Sequence, residues 1–253
     1  MKKYFCVADC HSFFTEMIEA LNKEGFDINN PDHIFVSVGD LFDRGNESRE
    51  MLEFVNSIPR ERKILIRGNH EVLMNQMMWR GDWPRSNDKK NGTWKTACDL
   101  TQVDIAEVMQ HMRHNKSWWD YYHDTVWYVV VGDYIITHGW VPCEGHWTYG
   151  YPPGARINAI PMEEWDEIDD EMWENYFTWY NGMEKWSYHA RVEGKTVICG
   201  HWNTSWGWMK LRGACMNQYD GDAIHEPFID DGIVALDACT VISHKVNCFV
   251  FEA

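Results

Sequence analysis

Seven short apolar runs, most of them ending abruptly in Gly, Asp, Asn or His, constrain this chain more than any other feature. They are Tyr4–Ala8, Ile34–Val38, Ile64–Ile66, Val126–Thr137, Thr196–Cys199, Ile233–Leu236 and Cys248–Phe251. Rich in Val, Ile and Phe, and mostly continuous rather than alternating, they predict strands covered on both faces. Between the first three lie helical patterns. Phe13, Phe14, Met17, Ile18 and Leu21 recur at helical spacing behind Ser12, read as an N-cap, and Met51, Leu52 and Val55 repeat the pattern over Glu47–Val55. The first half therefore reads β-α-β-α-β, which favours parallel strands joined by crossover helices.

The rest of the chain breaks that rhythm. Residues 76–125 and 140–190 are rich in Trp, Tyr, Met, Asp and Glu, with Pro84, Pro142, Pro152, Pro153 and Pro161 among them. The aromatics argue against disorder. These segments are expected to be helical and loop insertions packed over the sheet ends of one domain spanning residues 1–253. The tryptophans at 165, 173, 179 and 186 are read as core rather than as a stacking platform.

The residues immediately beyond the strand runs carry the chemistry. Run one ends in Asp9-Cys10-His11, run two in Gly39-Asp40-Leu41-Phe42-Asp43-Arg44-Gly45, run three in Gly68-Asn69-His70-Glu71. Two later runs end in Thr137-His138-Gly139 and Gly200-His201-Trp202. Ligands of α/β sheets gather beyond the carboxyl ends of strands, so these five segments can converge. Residues two apart in an extended segment point the same way, which lets Asp9 and His11 reach one ion. A carboxylate such as Asp40 has two oxygens and can bridge two cations; an imidazole cannot. With Asn69, His138 and His201 the set mixes nitrogen and oxygen donors, a mixture suited to Mn, Fe or Zn more than to Ca or Mg.

Composition excludes some alternatives. The formal net charge of −16, with no basic patch, disfavours nucleic-acid binding. No apolar stretch approaches the roughly 18 residues of a membrane span, and the apolar run at the N-terminus stops at Asp9, too early for a signal peptide. The eight cysteines show no paired spacing, and Cys6, Cys199, Cys239 and Cys248 are expected to be buried free thiols. A reduced, cytoplasmic protein is expected. There is no P-loop and no nucleophile elbow. His111, His114, His123, His146, His189, His225 and His244 have no partner pattern.

Asp9-x-His11, Gly39-Asp-x-x-Asp-Arg-Gly45, Gly68-Asn-His-Glu71, His138-Gly139 and Gly200-His201 resemble the motifs of the calcineurin-like metallophosphoesterases. More narrowly, they are similar to the phosphoprotein-phosphatase (serine/threonine) branch with its bacterial and phage members. The resemblance implies an α/β fold, a β-sandwich of two mixed sheets flanked by helices. It implies one divalent cation on Asp9, His11 and Asp40 and a second on Asp40, Asn69, His138 and His201, with manganese foremost. It further implies that a hydroxide between the ions attacks a phosphomonoester, that His70 is the general acid oriented by Asp43, and that Arg44 holds phosphate oxygens. Glu71 is read equally as a helix N-terminal residue or a functional one. The chain departs from the family at Ser12, where Gly is usual, and around Thr178, where a second phosphate-binding Arg is expected; Arg156 and Arg191 are the available substitutes.

The implied activity is a phosphoric-ester hydrolase acting on a phosphorylated protein or a small phosphate ester. Hydrolysis of diadenosine tetraphosphate is the alternative among enzymes, and a non-catalytic metal- or phosphate-binding protein is the alternative outside them.

Overall fold

The computed structural model describes residues 1–81, 84–144 and 156–253. His146, Pro152 and Pro153 therefore lie outside the described residues. Among the described residues, ten strands form two five-stranded sheets. They are β1 Lys3–Val7, β2 His33–Ser37, β3 Lys63–Ile66, β4 Thr125–Val126, β5 Tyr128–Val131, β6 Tyr134–Thr137, β7 Thr196–Cys199, β8 Phe228–Asp230, β9 Ile233–Ala235 and β10 Cys248–Glu252. The first sheet runs β10-β1-β2-β3-β4 and the second β5-β6-β7-β9-β8. β1 to β4 are parallel with β10 antiparallel to β1; β6, β7 and β9 are parallel with β5 and β8 antiparallel at the edges. This is the α/β sandwich of two mixed sheets.

Why the strand runs lack alternation is plain from their two faces. In β1, Phe5 and Val7 pack under helices, while Cys6, and Ala8 just beyond the strand, face the second sheet. The inter-sheet layer is completed by Val36, Val38, Ile66, Ile136, Ile198 and Val234. Each fully buried Val, Ile or Phe contributes about 1.5–3 kcal/mol, so a polar residue inside either run would be costly. The expected strand Val126–Thr137 is in fact three. Val126 ends the first sheet, Tyr128 begins the second, and Gly132-Asp133 turns β5 back onto β6, Gly132 taking φ +56°. The edge strand β8 was not anticipated, since Phe228–Asp230 is too short to carry a pattern.

Eleven α-helices among the described residues accompany the sheets: α1 Phe14–Lys23, α2 Ser48–Ser57, α3 Asn69–Arg80, α4 Ser86–Asn91, α5 Thr93–Thr101, α6 Val108–Arg113, α7 Lys116–Asp124, α8 Asp170–Asn175, α9 Gly182–Ser187, α10 Thr204–Arg212 and α11 Thr240–Ser243. Ser12 is not the cap of α1. That position falls to Phe13 with no side-chain bond, while Ser12 has φ 58° and its Oγ lies 2.9 Å from Ser48 Oγ, tying together the starts of α1 and α2.

Helices α4 to α7, from the first insertion, cover the outer face of the first sheet with Trp118 and Tyr121 fully buried. The second insertion covers the other outer face. There Trp165, Trp173 and Trp186 are core, as expected, but Trp179 is 41% exposed. All eight cysteines are free; Cys6 and Cys199 are buried, whereas Cys239 and Cys248 are only half-buried. Among the described residues no helix is long and apolar enough to cross a membrane.

Candidate metal centre

The residues just beyond β1, β2, β3, β6 and β7 meet in one place, and they do so on a strained backbone. Asp9 and His11 have φ of 51° and 49°, Asp40 52°, Asp43 and Arg44 74° and 64°, and His201 65°. A left-handed conformation costs a non-glycine residue about 1–3 kcal/mol and persists only where neighbours dictate it. Here Glu71 does much of the dictating. Fully buried, its carboxylate accepts the N–H groups of Asp40 at 3.0 Å, Leu41 at 3.1 Å and Gly68 at 2.9 Å, and the hydroxyl of Tyr121 at 3.0 Å. The loop after β2 is thus clamped to the start of α3. Gly68 and Gly200 leave room for the carboxylates, since a Cβ on the first would strike Asp40 Oδ1 and one on the second Asp9 Oδ2.

Donor atoms of His11, Asp40 and His70 lie within 4.8 Å of one another, and so do those of Asp40, His138 and His201. Asp40 is common to both groups. His11 Nδ1 donates to Phe42 O at 2.9 Å and His138 Nδ1 to Val38 O at 2.8 Å, so that each Nε2 faces inward. Around His138 Nε2 stand Asn69 Oδ1 at 3.0 Å and Asp40 Oδ2 at 3.4 Å. Three such electron-rich atoms repel one another unless a proton or a cation lies among them. Asp9 stands outside both groups at that spacing; its two oxygens receive the His201 N–H at 2.9 and 3.1 Å.

Electrostatics point the same way. Asp9, Asp40 and Asp237 are three buried carboxylates in one neighbourhood. Burial and the nearby Asp237 push the Asp9 carboxyl well above its usual range, and burial pushes Asp237 up to about 6. Burial acts on Asp40 too, but the imidazoles of His138 and His70 outweigh it and hold that carboxyl well below its usual range. Burial and then His138 depress His201 to about 3, so its ring is neutral and ready to ligate. Burial works against a charged His138 as well, yet Asp40 outweighs it and raises that ring to about 10, so a proton sits among these groups; a divalent cation in its place favours the same anions and takes up the lone pairs of the neutral His11 and His201.

Beside this cluster His70 Nδ1 donates to Asp43 Oδ2 at 2.7 Å. Burial works against a charged His70, yet Asp40 and the bonded Asp43 outweigh it and raise the imidazole above its ordinary range. Arg44 spreads its fork over two rings, Nη1 on His11 Nε2 at 2.8 Å and Nη2 on His70 Nε2 at 3.0 Å. For His11 to take a cation through Nε2, that fork has to turn outward. Thr178 is buried and spends its hydroxyl on Trp173 O at 3.0 Å. Arg191 pairs with Asp231 at 3.4 Å and lies over the Trp186 ring, and Arg156 is exposed with no contact tying it to the centre among the described residues. Neither arginine is brought to the site. The flanking groups are aromatic. The ring centroids of Trp179 and Trp202 lie 5.7 and 6.4 Å from that of His201.

Two participants were not anticipated. Asp237 follows β9 as Asp9, Asp40 and Asn69 follow their strands, and that placement was the available signal. Thr93, at the start of α5, donates to Asp43 Oδ2 at 2.7 Å; nothing in its sequence surroundings marks it.

Strands β1, β2, β3, β6, β7 and β9 each deliver an Asp, Asn or His to one place, the arrangement of a metal-dependent phosphoesterase class. The family model for calcineurin-like phosphoesterases matches residues 2–231, and the chain belongs to that family. Two curated relatives are named symmetrical bis(5'-nucleosyl)-tetraphosphatases. The one from Buchnera aphidicola subsp. Baizongia pistaciae is 40% identical over 72 residues, 28% of this chain and 24% of that protein. The one from Proteus mirabilis is 28% identical over 127 residues, 45% of each chain. This chain thus matches less than half the length of either. In fold it is similar to the cold-active protein-tyrosine phosphatase of a Shewanella species, with TM-score 0.56, 14% identity and coverage of 100% of this chain and 76% of that one. It is likewise similar to a protein serine/threonine phosphatase from Saccharomyces cerevisiae, with TM-score 0.52, 16% identity and coverage of 100% and 80%.

Proposed function

We propose that this chain is a dinuclear-metal phosphomonoesterase of the serine/threonine-phosphatase type. The observation that carries the reading is Asp40, buried and shared between two donor groups that otherwise consist of imidazoles. Asp9, His11 and Asp40 hold one divalent cation, and Asp40, Asn69, His138 and His201 the other. Manganese heads the candidates, with iron or zinc also matched to the mixed donors. When bound, the pair supplies Lewis acidity toward the phosphoryl oxygens and toward the attacking water.

The protein's own groups do the rest. Arg44, turned out from His11 and His70, presents two parallel N–H donors to the phosphate. His70 delivers a proton from Nε2 to the departing alkoxide, and Asp43 fixes the ring through Nδ1 and stabilises its charged form. The substrate is a phosphorylated protein or a small phosphate ester. Eight free thiols fit a reducing, cytoplasmic setting. Added manganese is expected to switch on turnover of p-nitrophenyl phosphate and of a phosphoserine peptide, with close to two ions retained per chain. Absence of turnover in metal-loaded protein sinks the reading in favour of a binding protein.

A second reading, hydrolysis of diadenosine tetraphosphate, is favoured by the two relatives' names and by the flanking indoles. Trp179 and Trp202 are 41% and 36% exposed beside His201, surfaces on which a base can stack. Base–aromatic stacking is worth about 1–3 kcal/mol, or roughly 5- to 150-fold. On this reading Trp179→Ala and Trp202→Ala each raise KM for diadenosine tetraphosphate by that order and leave KM for a phosphoserine peptide in place. Equal effects on both substrates remove the stacking argument.

A further inference from the structure

Asp43 is held in an unusual way for a buried carboxylate. It is fully buried, yet Oδ1 has no hydrogen-bond partner among the described residues, and Oδ2 receives two donors, His70 Nδ1–H and Thr93 Oγ1–H, both at 2.7 Å. The Asp43 backbone has φ 74°, and its N–H donates to Thr96 Oγ1 at 3.1 Å. Thr93 and Thr96 are three apart on α5, hence on one face, and both are buried. Gly92, just before the helix, presses so closely on the next residue that a Cβ there would lie 2.7 Å from Arg44 N. One turn of one helix therefore grips the side chain of Asp43, its main chain and the start of Arg44. Thr is a mediocre helix former, and two buried hydroxyls are costly unless bonded, so an apolar pair would suit a helix that only packed.

We propose that Thr93 is a positioning residue for the proton delivered by His70, and that α5 of the first insertion belongs to the catalytic apparatus. The inference rests on the phosphomonoesterase reading and adds a residue to it. With Oδ1 unpartnered, Thr93 is, among the described residues, the one side chain besides His70 that fixes the rotation of the Asp43 carboxylate. Without it the carboxylate turns about its Cβ–Cγ bond, and His70 loses the fixed direction of Nε2. Proton delivery matters in proportion to how poor the leaving group is. A departing alkoxide must be protonated as the P–O bond breaks, whereas p-nitrophenolate leaves as a stable anion.

The test compares Thr93→Val and Thr93→Ser with the wild-type protein, all manganese-loaded, on glycerol phosphate and on p-nitrophenyl phosphate. Thr93→Val is expected to lower kcat on glycerol phosphate by about tenfold or more, part of the 10²–10⁴ that general acid catalysis supplies. On p-nitrophenyl phosphate it should cost no more than about threefold. KM on both esters, metal content and Tm should hold, and Thr93→Ser should restore most of the loss because it restores the donor. Equal losses on the two esters, or no loss on glycerol phosphate, overturn the role of Thr93. Failure of the wild-type protein to hydrolyse either ester overturns the phosphomonoesterase reading instead.

Discussion

Asp40→Asn is expected to leave a folded protein that no longer retains two manganese ions and turns over phosphate esters at least about 10³-fold more slowly, since Lewis-acid stabilisation is worth several kcal/mol at about 1.4 kcal/mol per decade. The fold should survive because the amide keeps an oxygen for the contact Asp40 Oδ1 makes with the His70 N–H at 2.9 Å. The N–H groups of Asp40 and Leu41 still reach Glu71, so the loop conformation has its anchors. The loss is of charge, at the single donor common to both groups. A neutral amide offers one oxygen and cannot balance two dications. Elemental analysis after gel filtration measures the ions, and Tm with and without manganese tells site loss from unfolding. Wild-type protein should gain Tm on adding the metal, by mass action on the folded state, and Asp40→Asn should gain little. Two ions per chain in the variant would show that Asp40 is not the shared ligand.

The sequence carried the parallel core and the cluster because both are written locally. A strand covered on two faces needs an unbroken apolar run, and the residue that ends it is polar because it leaves the core. Hence Asp9, Asp40, Asn69, His138 and His201 were visible as strand-end residues before any contact was known. Asp237 was visible on the same ground, as the residue closing the run Ile233–Leu236, but a strand-end position by itself assigns an Asp no role. The turn within Val126–Thr137 was hidden because Tyr128–Val131 and Tyr134–Thr137 are both apolar enough to pass for one strand. Glu71, Tyr121 and Thr93 act at separations of 30, 50 and 50 residues from the partners they hold, and long-range hydrogen bonds leave no periodicity in a sequence. Trp179 differs from Trp165, Trp173 and Trp186 only in lying where the chain passes His201, a fact of packing rather than of pattern.

His70→Asn decides between two chemistries for the same ring. The donor atoms of His70 lie with those of His11 and Asp40 in one metal-sized group, so geometry alone allows a ligand. Its bond to Asp43, at 2.7 Å between fully buried groups, instead suits a ring that carries a proton. If His70 is the general acid, the variant keeps both ions and loses about 10²–10⁴ in kcat on an alkyl phosphate, with a much smaller loss on p-nitrophenyl phosphate. If His70 is a ligand, one ion leaves and both esters suffer alike. The first outcome is the one expected, since Asp43 holds Nδ1 and, with Asp40, favours the charged ring, which has no lone pair to offer a cation. Thr93 sharpens the distinction. Residues that act as a unit lose their effects together, so Thr93→Val added to His70→Asn should cost nothing further on glycerol phosphate. An additive loss would mean that Thr93 supports the fold around Asp43 independently of the proton that His70 delivers.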